Sequence, residues 1–283
     1  MPMKQSQWIT EVFEDQTAFS VRYSGRLLDE RSDFQRIEIY DTDALGRVLL
    51  LNGCFMVTEK DAYIYHEMLV HPAMAVLPGA SKALVIGGGD GGAVTELVKY
   101  PTMESITLCE IDPMVVRSCM EHLPGISSGL GDPRVNVIHE DGAAFVKNSA
   151  ETYDLVLVDS TDPVGPGKAL FEVSFFESIR DRLEDHGAAV LQTESPIFMS
   201  EVFSSAVKNL GSVFGFDRAT PYFATIPCYP GGLWSFTFCS ASVDPVRDCP
   251  SDSAASLPVG LRYYDLSVHR AAFAMPGFVR AML

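Results

Sequence analysis

The sequence lacks the features that zinc-binding, secreted and membrane-embedded proteins depend on. Its six cysteines are scattered and include no C-x-x-C pair, so we expect neither a metal site nor a disulfide framework. No apolar run is long enough to cross a membrane, and no signal peptide is recognisable at the start. These absences predict a cytoplasmic protein that has no membrane partner.

Positive charge is also scarce. The chain has 21 lysines and arginines against 37 aspartates and glutamates, which gives a formal net charge of −16. Nucleic-acid binding needs clustered basic residues and is therefore excluded. An acidic protein suits a polycationic ligand, although acidic surfaces also simply keep proteins soluble. At 283 residues, the chain can form one large domain with a smaller one attached.

Residues 1–70 are predicted to form a small antiparallel β-domain. Four short aromatic or β-branched segments, residues 8–13, 19–28, 34–40 and 48–51, are separated by Asp, Gly or Asn turns. Asn52-Gly53 is typical of a hairpin corner. A helix over residues 62–75 should follow. Its His66, Glu67 and His71 do not match a zinc helix, because the two histidines are five residues apart rather than four.

Residues 71–283 are predicted to form the catalytic domain. From Ala83 onward, apolar strand segments alternate with helical segments, which is typical of an α/β fold. The expected architecture is a Rossmann-like, doubly wound and mostly parallel sheet covered by helices. We predict one helix over residues 171–183 and expect the apolar C-terminal tail to dock on this body.

A glycine-rich turn in residues 83–92, ALVIGGGDGG, follows the first strand of this domain and opens a helix. Glu110 ends the next strand, where nucleotide-binding folds place the acid that binds ribose hydroxyls. Asp90 lies inside the turn, where it would repel phosphate and attract a cation. The turn therefore favours a nucleoside with a positively charged tail over a pyrophosphate cofactor. The alternative is that Asp90 only caps the helix.

Four predicted strand ends carry an acid, at Asp90, Glu110, Asp141 and Asp159. Ligands of doubly wound sheets bind beyond these ends. Asp159 and Asp162 lie three residues apart on a Pro- and Gly-containing loop and can face one small volume. A neighbouring like charge and burial both raise a carboxyl pKa, which makes a better base for an alkyl ammonium of pKa ~10. The loop could also be only a capped turn.

Several motifs in combination resemble the spermidine synthase family. They are GGGDGG (87–92), CEID (109–112), DSTDPVGP (159–166), YIYHEM (63–68), TIPCYPGG (225–232) and RYYDLSVHRAAFA (262–274). The resemblance extends from about Gln35 to the end of the chain. It implies transfer of an aminopropyl group from decarboxylated S-adenosylmethionine to an amine, usually putrescine, giving spermidine and methylthioadenosine. The nucleoside would be a co-substrate, with no further cofactor and no metal.

The resemblance also implies roles for individual residues. Asp159 would be the catalytic base, and Asp90 with His66 would bind the aminopropyl ammonium of the donor. Other substrate contacts would come from Gln35 in the β-domain, Tyr65, Asp162, Gln192 and Tyr229 around the acceptor, Glu110 at the ribose, Asp141 and Gly142 at the adenine, and Pro166 at the thioadenosine. Members of the family form dimers or tetramers, so we expect a homodimer or homotetramer.

Alternatives remain at this point. The acceptor could be agmatine, cadaverine or spermidine instead of putrescine, and Glu194 could retune the amine pocket or face solvent. The same fold serves methyltransferases that use intact S-adenosylmethionine. Asp90 with the Asp159 and Asp162 pair disfavours that donor, because its carboxylate would be repelled. A non-catalytic polyamine- or nucleoside-binding protein would not need Asp159 as a base.

Overall fold

Two separate sheets form the framework of the protein. The computed structural model describes residues 7–161, 165–251 and 256–283, without the side chains of residues 165 and 166. The N-terminal sheet is antiparallel with strand order β1-β2-β3-β4-β5. Its strands are β1 (Trp8–Phe13), β2 (Thr17–Arg31), β3 (Arg36–Thr42), β4 (Gly46–Leu51) and β5 (Cys54–Thr58). The predicted β-domain is confirmed, with β5 as an additional strand.

The hairpin between β4 and β5 shows why this strand follows Asn52-Gly53. Both residues have positive φ, +52° and +88°, which is the backbone of a tight turn whose twist matches that of the flanking strands. The pairing is irregular at Leu49 and Leu50, where the register shifts by one residue. Cys54 and Met56, on the short strand that results, both line the cleft described below.

The second sheet has seven strands in the order β11-β12-β10-β9-β6-β7-β8. Neighbours from β10 to β8 are parallel, and β12 is antiparallel to both β10 and β11. This confirms the Rossmann-like, mostly parallel sheet. The strands are β6 (Lys82–Gly87), β7 (Ser105–Cys109), β8 (Val135–Ile138), β9 (Tyr153–Asp159), β10 (Leu183–Gln192), β11 (Ala219–Thr225) and β12 (Leu233–Cys239). Strand order reverses between β6 and β9, which is where such folds bind ligands.

Helices cover the faces of this sheet. They are α1 (Ala62–Val76), α2 (Gly92–Leu97), α3 (Pro113–His122), α4 (Pro124–Ser127), α5 (Gly142–Asn148), α6 (Val173–Arg180), α7 (Ser200–Phe214), α8 (Leu266–Ala272) and α9 (Gly277–Arg280), with 3₁₀ helices at Ser128–Gly131 and Gly165–Phe171. Among the described residues, no helix has the length and apolar character needed to span a bilayer.

The helix predicted over residues 171–183 is present as α6, but it is shorter than predicted at both ends. The extended backbone of Glu172 (ψ 146°) separates the 3₁₀ helix from α6, and α6 ends at Arg180. Leu183 then begins β10 by pairing with Tyr153 of β9. The apolar periodicity continued across these breaks, because the 3₁₀ helix, α6 and β10 each supply residues to the same core.

Helix α1 is buried on nearly every side and connects the two sheets. The C-terminal tail packs against it, and buried Glu67 accepts hydrogen bonds of 2.8 Å from the backbone N–H groups of Arg262, Tyr263 and Tyr264. The predicted docking of the tail is confirmed. Because Tyr65 and His66 precede Glu67 on this helix, the tail fixes an element that carries two predicted site residues.

Candidate active site

A cleft of about 390 Å³ opens at the carboxyl ends of β6, β7 and β9. The structure brings most of the predicted site residues to its walls: Gln35, Tyr65, Asp90, Glu110, Asp141, Gly142, Asp159 and Tyr229. Parallel strands end at the same edge of a sheet, so acids that are distant in sequence meet there. Gln35 comes from the loop between β2 and β3 and closes the cleft from the N-terminal sheet.

The glycine turn after β6 lies directly against the end of β9. Gly87 and Gly88 have φ values of +75° and +69°, and the N–H of Gly88 donates to the carbonyl oxygen of Asp159 at 2.8 Å. A Cβ at Gly87 would lie 2.2 Å from that oxygen, and one at Gly88 would lie 2.8 Å from Asp159 Oδ2. These glycines are required both for the turn and for the position of the Asp159 side chain.

Asp159 has one occupied and one open carboxylate oxygen. Tyr65 donates its hydroxyl to Oδ1 at 2.7 Å. Oδ2 is buried and accepts no hydrogen bond from the part of the chain that the structure describes. Burial, with the nearby charge of Asp90, raises the pKa of Asp159 to about 6. A buried carboxylate with one fixed oxygen and one open oxygen is suited to accept a proton from a ligand.

His66 and Asp90 form a buried pair beside Asp159. His66 Nε2 lies 3.3 Å from Asp90 Oδ1, which also accepts the N–H of Gly92 at 2.7 Å. Burial by itself would lower the pKa of His66, but the Asp90 carboxylate raises it to about 9, so the ring is an imidazolium at neutral pH. Burial likewise opposes ionisation of Asp90, yet the charge of His66 lowers its pKa.

The pair depends on a small neighbour. A Cβ on Gly92 would lie 2.1 Å from Cε1 of the His66 ring, so the ring occupies space that only glycine leaves open. His66 is therefore both a packed helix histidine and a partner of Asp90. With Asp159 ionised, the three side chains have a net charge of −1 and favour a ligand cation.

His66, Asp90 and Asp159 are also the only group in the described residues whose ligand atoms could hold a metal, lying within 4.8 Å of one another. Protonation removes the lone pair that His66 would need for coordination. The hydroxyl of Tyr65 already donates to Asp159 Oδ1, and the N–H of Gly92 already donates to Asp90 Oδ1. An organic ammonium, which donates hydrogen bonds, fits this arrangement better than a metal ion.

The histidine-rich helix α1 does not form a metal centre of its own. The rings of His66 and His71 have different partners, and Glu67 binds the backbone of the tail. His71 lies between the hydroxyl of Tyr100 and the carboxylate of Glu96, each at 2.8 Å. The side chains of His66, Glu67 and His71 thus have separate partners.

The opposite end of the cleft is built around Glu110. Its Oε1 accepts the N–H of Asp112 at 2.9 Å, and burial raises its pKa to about 7. Fully buried Asp112 in turn accepts Ser32 Oγ at 2.6 Å and Gln35 Nε2 at 3.0 Å through Oδ2. Gln35 is thus held at the rim by Asp112, whose contribution the sequence analysis missed.

Asp141 and Gly142 lie at the start of α5. Asp141 is exposed and caps the helix by accepting the N–H of Ala144 at 2.9 Å. A Cβ on Gly142 would lie 2.4 Å from Ile86 Cγ2, so glycine allows α5 to approach β6. Both residues border the cleft beside Leu170. The position is compatible with a flat heterocycle packed near the helix N-terminus.

A smaller cavity of about 40 Å³ continues beyond Tyr65. Gln192 lies there, donating through Nε2 to the carbonyl oxygen of Ser160 at 3.1 Å and to Glu194 Oε1 at 3.0 Å. Glu194 is fully buried and has a φ of +69°, a strained backbone for a non-glycine residue. It therefore faces this cavity rather than solvent. Tyr229, whose hydroxyl donates to Met56 O at 2.7 Å, lines both cavities.

Two predicted residues are not placed. Asp162 lies outside the described residues, as does the side chain of Pro166. Several further residues of the small cavity were missed, among them Phe198 and, on β1, Glu11 and Phe13. Glu11 and Phe13 share one face of β1 with buried Ile9, and the alternation of side chains along a strand was the available signal.

Comparisons with known proteins agree with this geometry. The family profile for the spermine/spermidine synthase domain matches residues 62–247, and that for the spermidine synthase tetramerisation domain matches residues 7–59. A polyamine aminopropyltransferase from Moorella thermoacetica is 42% identical over 276 residues, covering 98% of this chain and 96% of its own. One from Clostridium botulinum (strain Alaska E43 / Type E3) is 41% identical over 280 residues, covering 98% and 97%.

Solved structures show the same fold. A spermidine synthase in complex with the transition-state analogue AdoDATO superimposes with a TM-score of 0.95 at 34% identity, covering 99% of this chain and 95% of that one. The spermidine synthase from Thermotoga maritima gives a TM-score of 0.93 at 34% identity, covering 99% and 94%.

Proposed function

This chain belongs to the spermine/spermidine synthase family and is an aminopropyltransferase, and we propose that putrescine is the amine that it extends. The family uses decarboxylated S-adenosylmethionine as the co-substrate, and the products would be spermidine and methylthioadenosine. The observation that supports this most strongly is the open, buried Oδ2 of Asp159 beside the His66–Asp90 pair. It provides a base and a cation site within one cleft.

We propose that Asp159 is the catalytic base. Its carboxylate takes a proton from the attacking ammonium, and the freed lone pair forms a bond to the carbon next to the donor sulfonium. The carbon–sulfur bond breaks, and its electrons neutralise the sulfur as methylthioadenosine leaves. The sulfonium already activates this carbon, so positioning and proton removal are sufficient and no other cofactor or metal is needed.

The donor would lie along the large cleft. Asp90, kept ionised by His66, would bind the aminopropyl ammonium and repel the carboxylate of intact S-adenosylmethionine. Glu110 would accept the ribose hydroxyls, and Gln35 would contact the donor from the opposite rim. Asp141 and Gly142 would lie at the adenine. The role of Pro166 at the thioadenosine stays a prediction, since its side chain is not described.

The acceptor would extend from Asp159 into the small cavity. Tyr65 and Tyr229 form its aromatic sides, with ring centroids 5.8 Å apart, and Gln192 lies further in. Buried Glu194 supplies negative charge where the second ammonium of a diamine would lie. The part of Asp162 in holding the acceptor likewise stays a prediction, since that residue is outside the described chain.

We also propose that residues 1–70 form the oligomerisation domain and residues 71–283 the catalytic domain, in a homotetramer. The match of residues 7–59 to a tetramerisation domain supports four copies over two. Strand β1 is an edge strand whose outer face exposes Trp8 and Val12, at 53% and 58%. Exposed apolar residues on a sheet edge are what an interface between copies would cover.

The test is identification of the products by mass spectrometry. The enzyme is incubated with decarboxylated S-adenosylmethionine and, separately, with putrescine, cadaverine, agmatine or spermidine. The proposal predicts methylthioadenosine and spermidine, formed fastest from putrescine. Faster turnover of another amine would overturn putrescine as the acceptor. Methylated products from intact S-adenosylmethionine, with no methylthioadenosine from any amine, would contradict aminopropyl transfer itself.

A further inference from the structure

Two phenylalanines from different parts of the chain line the small cavity. Phe13 is the last residue of β1 in the N-terminal sheet, and Phe198 lies in the loop between β10 and α7. Their rings pack edge to face, with centroids 5.7 Å apart and an interplanar angle of 82°. We call this pair the end wall. Both residues line the small cavity and not the large cleft, whereas Asp159 lines only the large cleft.

The position of Phe198 is fixed from behind by the chain after β11. A Cβ on Gly231 would lie 2.3 Å from Phe198 Cε2, so the ring rests directly on the backbone of this glycine. Gly231 has a φ of +72°, a conformation that other residues rarely adopt. Phe198 therefore cannot retreat without moving the turn over residues 229–232. Phe198 is therefore packed against this turn on one side and against Phe13 on another.

Two acidic residues lie in the same cavity as the end wall. Glu11 and Glu194 line the same small cavity as the two phenylalanines. A diamine that reaches from Asp159 past Tyr65 would place its second ammonium among these acids, with only about 40 Å³ available there. A longer polyamine would have to continue through the two rings, or leave a cationic segment against apolar carbon without a partner.

We propose that the end wall of Phe13 and Phe198 sets the length of the amine acceptor, admitting a four-carbon diamine and excluding longer polyamines such as spermidine. This inference rests on the proposed function and names its specificity. The wall acts by steric exclusion, so shortening either ring enlarges the cavity. An apolar pocket discriminates by about tenfold or more between substrates that differ by one methylene. We expect the end wall to discriminate between acceptors by at least this factor.

The experiment measures kcat/KM for methylthioadenosine release with putrescine, cadaverine and spermidine. The variants are Phe198→Ala, Phe13→Ala and Phe198→Leu, which keeps most of the bulk. Ile197→Ala is the matched control, because Ile197 is adjacent, 54% exposed and does not line the cavity. Circular dichroism and turnover of putrescine establish that each variant is folded.

The ratio of kcat/KM for spermidine to that for putrescine decides the outcome. We expect a low ratio in the unmodified protein, a rise of about tenfold or more in each alanine variant, and little change in Phe198→Leu and Ile197→Ala. Efficient use of spermidine by the unmodified protein, or an unchanged ratio in both alanine variants, would contradict the role of the end wall in setting acceptor length. Neither result would contradict the proposed function. Absence of methylthioadenosine with every amine would instead contradict the proposed function, and the end wall with it.

Discussion

The charge on His66 determines how the two neighbouring carboxylates behave. Its imidazolium keeps Asp90 ionised in spite of burial, and it also lowers the pKa of Asp159, which burial and Asp90 raise. The two aspartates therefore differ: one is a fixed anion, and the other titrates near neutrality. Groups whose environments separate their pKa values in this way are typical of sites that bind with one carboxylate and catalyse with the other.

Replacement of His66 by glutamine should move the pH dependence of the reaction. Glutamine keeps a polar group of similar size but removes the positive charge, so the pKa of Asp159 should rise above about 6. We expect the acidic limb of the kcat/KM profile to shift to higher pH by about one unit. His186→Gln, at an exposed site, is the control. An unshifted limb would show that His66 does not influence the base.

Replacement of Asp159 by asparagine should stabilise the protein while it greatly slows turnover. The folded pKa of about 6 lies above the usual 3.8, so the native state binds the proton more tightly and loses stability as pH rises from about 4 to 6. Above pH 6 this penalty is fully present. Asparagine cannot ionise, so we expect an increase of roughly 1–3 kcal/mol in unfolding free energy at pH 8. Urea denaturation of the variant, with exposed Asp217→Asn as control, measures it; a lower value would contradict the pKa shift.

Single residues were predictable where a motif joined a strand end to an acid. Asp90, Glu110 and Asp159 were placed in one cleft by reasoning about parallel strands, and the structure has them there. The ion pair of His66 with Asp90 was not predictable from the pattern alone, because it depends on the crossing of α1 over Gly92. Glu11 was missed because β1 reaches the cavity only through the tertiary packing of the two sheets.

Among the elements, the N-terminus of α3 does more than begin a helix. Asp112 caps it by accepting the N–H of Met114 at 3.0 Å through Oδ1, while Oδ2 holds Ser32 and Gln35 of the β2–β3 loop. One buried carboxylate thus joins the helix to the loop that carries Gln35 to the rim of the large cleft. Its backbone N–H also donates to Glu110.

Replacement of Asp112 by asparagine should weaken donor binding more than it slows chemistry. Asparagine still caps the helix through its side-chain oxygen. Its NH₂ group, in the position of Oδ2, cannot accept the hydrogen bonds that Ser32 Oγ and Gln35 Nε2 donate there, so the β2–β3 loop is no longer held. We expect KM for the donor to rise about tenfold with kcat changed less than threefold. Asp265→Asn, at the cap of α8, is the matched control. Equal losses in kcat and kcat/KM would contradict a positioning role.

The boundaries of strands and helices were predictable where a turn requires residues with positive φ. Asn52-Gly53 located the β4–β5 hairpin, and the glycines after β6 located the turn at the cleft. The helix predicted over 171–183 was found as α6 but was predicted too long, because apolar spacing continued through the extended Glu172 into β10. Strand β11 contains Pro221 and gave no strand pattern, since its position depends on pairing with β12.

At the scale of the whole molecule, the C-terminal tail stabilises the site through Glu67. Its carboxylate satisfies three consecutive backbone N–H groups of the tail while lying on the helix that carries Tyr65 and His66. Hydrogen bonds to a buried charge contribute more than neutral ones, and removal leaves the donors unsatisfied.

Replacement of Glu67 by alanine should therefore destabilise the protein by about 3 kcal/mol or more. Chemical denaturation measures the change, and Glu177→Ala on the exposed face of α6 provides the control. We also expect turnover to fall, because α1 is released from the tail. A variant as stable as the unmodified protein would show that the tail does not hold α1.

The most direct test of the account compares donor binding with turnover in Asp159→Asn. The dissociation constant of decarboxylated S-adenosylmethionine is measured by calorimetry, and kcat with putrescine by release of methylthioadenosine. If Asp159 is the base, kcat should fall by about 10²–10⁴-fold while the donor binds within a few-fold of its original affinity. Retention of most of the turnover in the variant would contradict Asp159 as the base and require the proton to leave by another route.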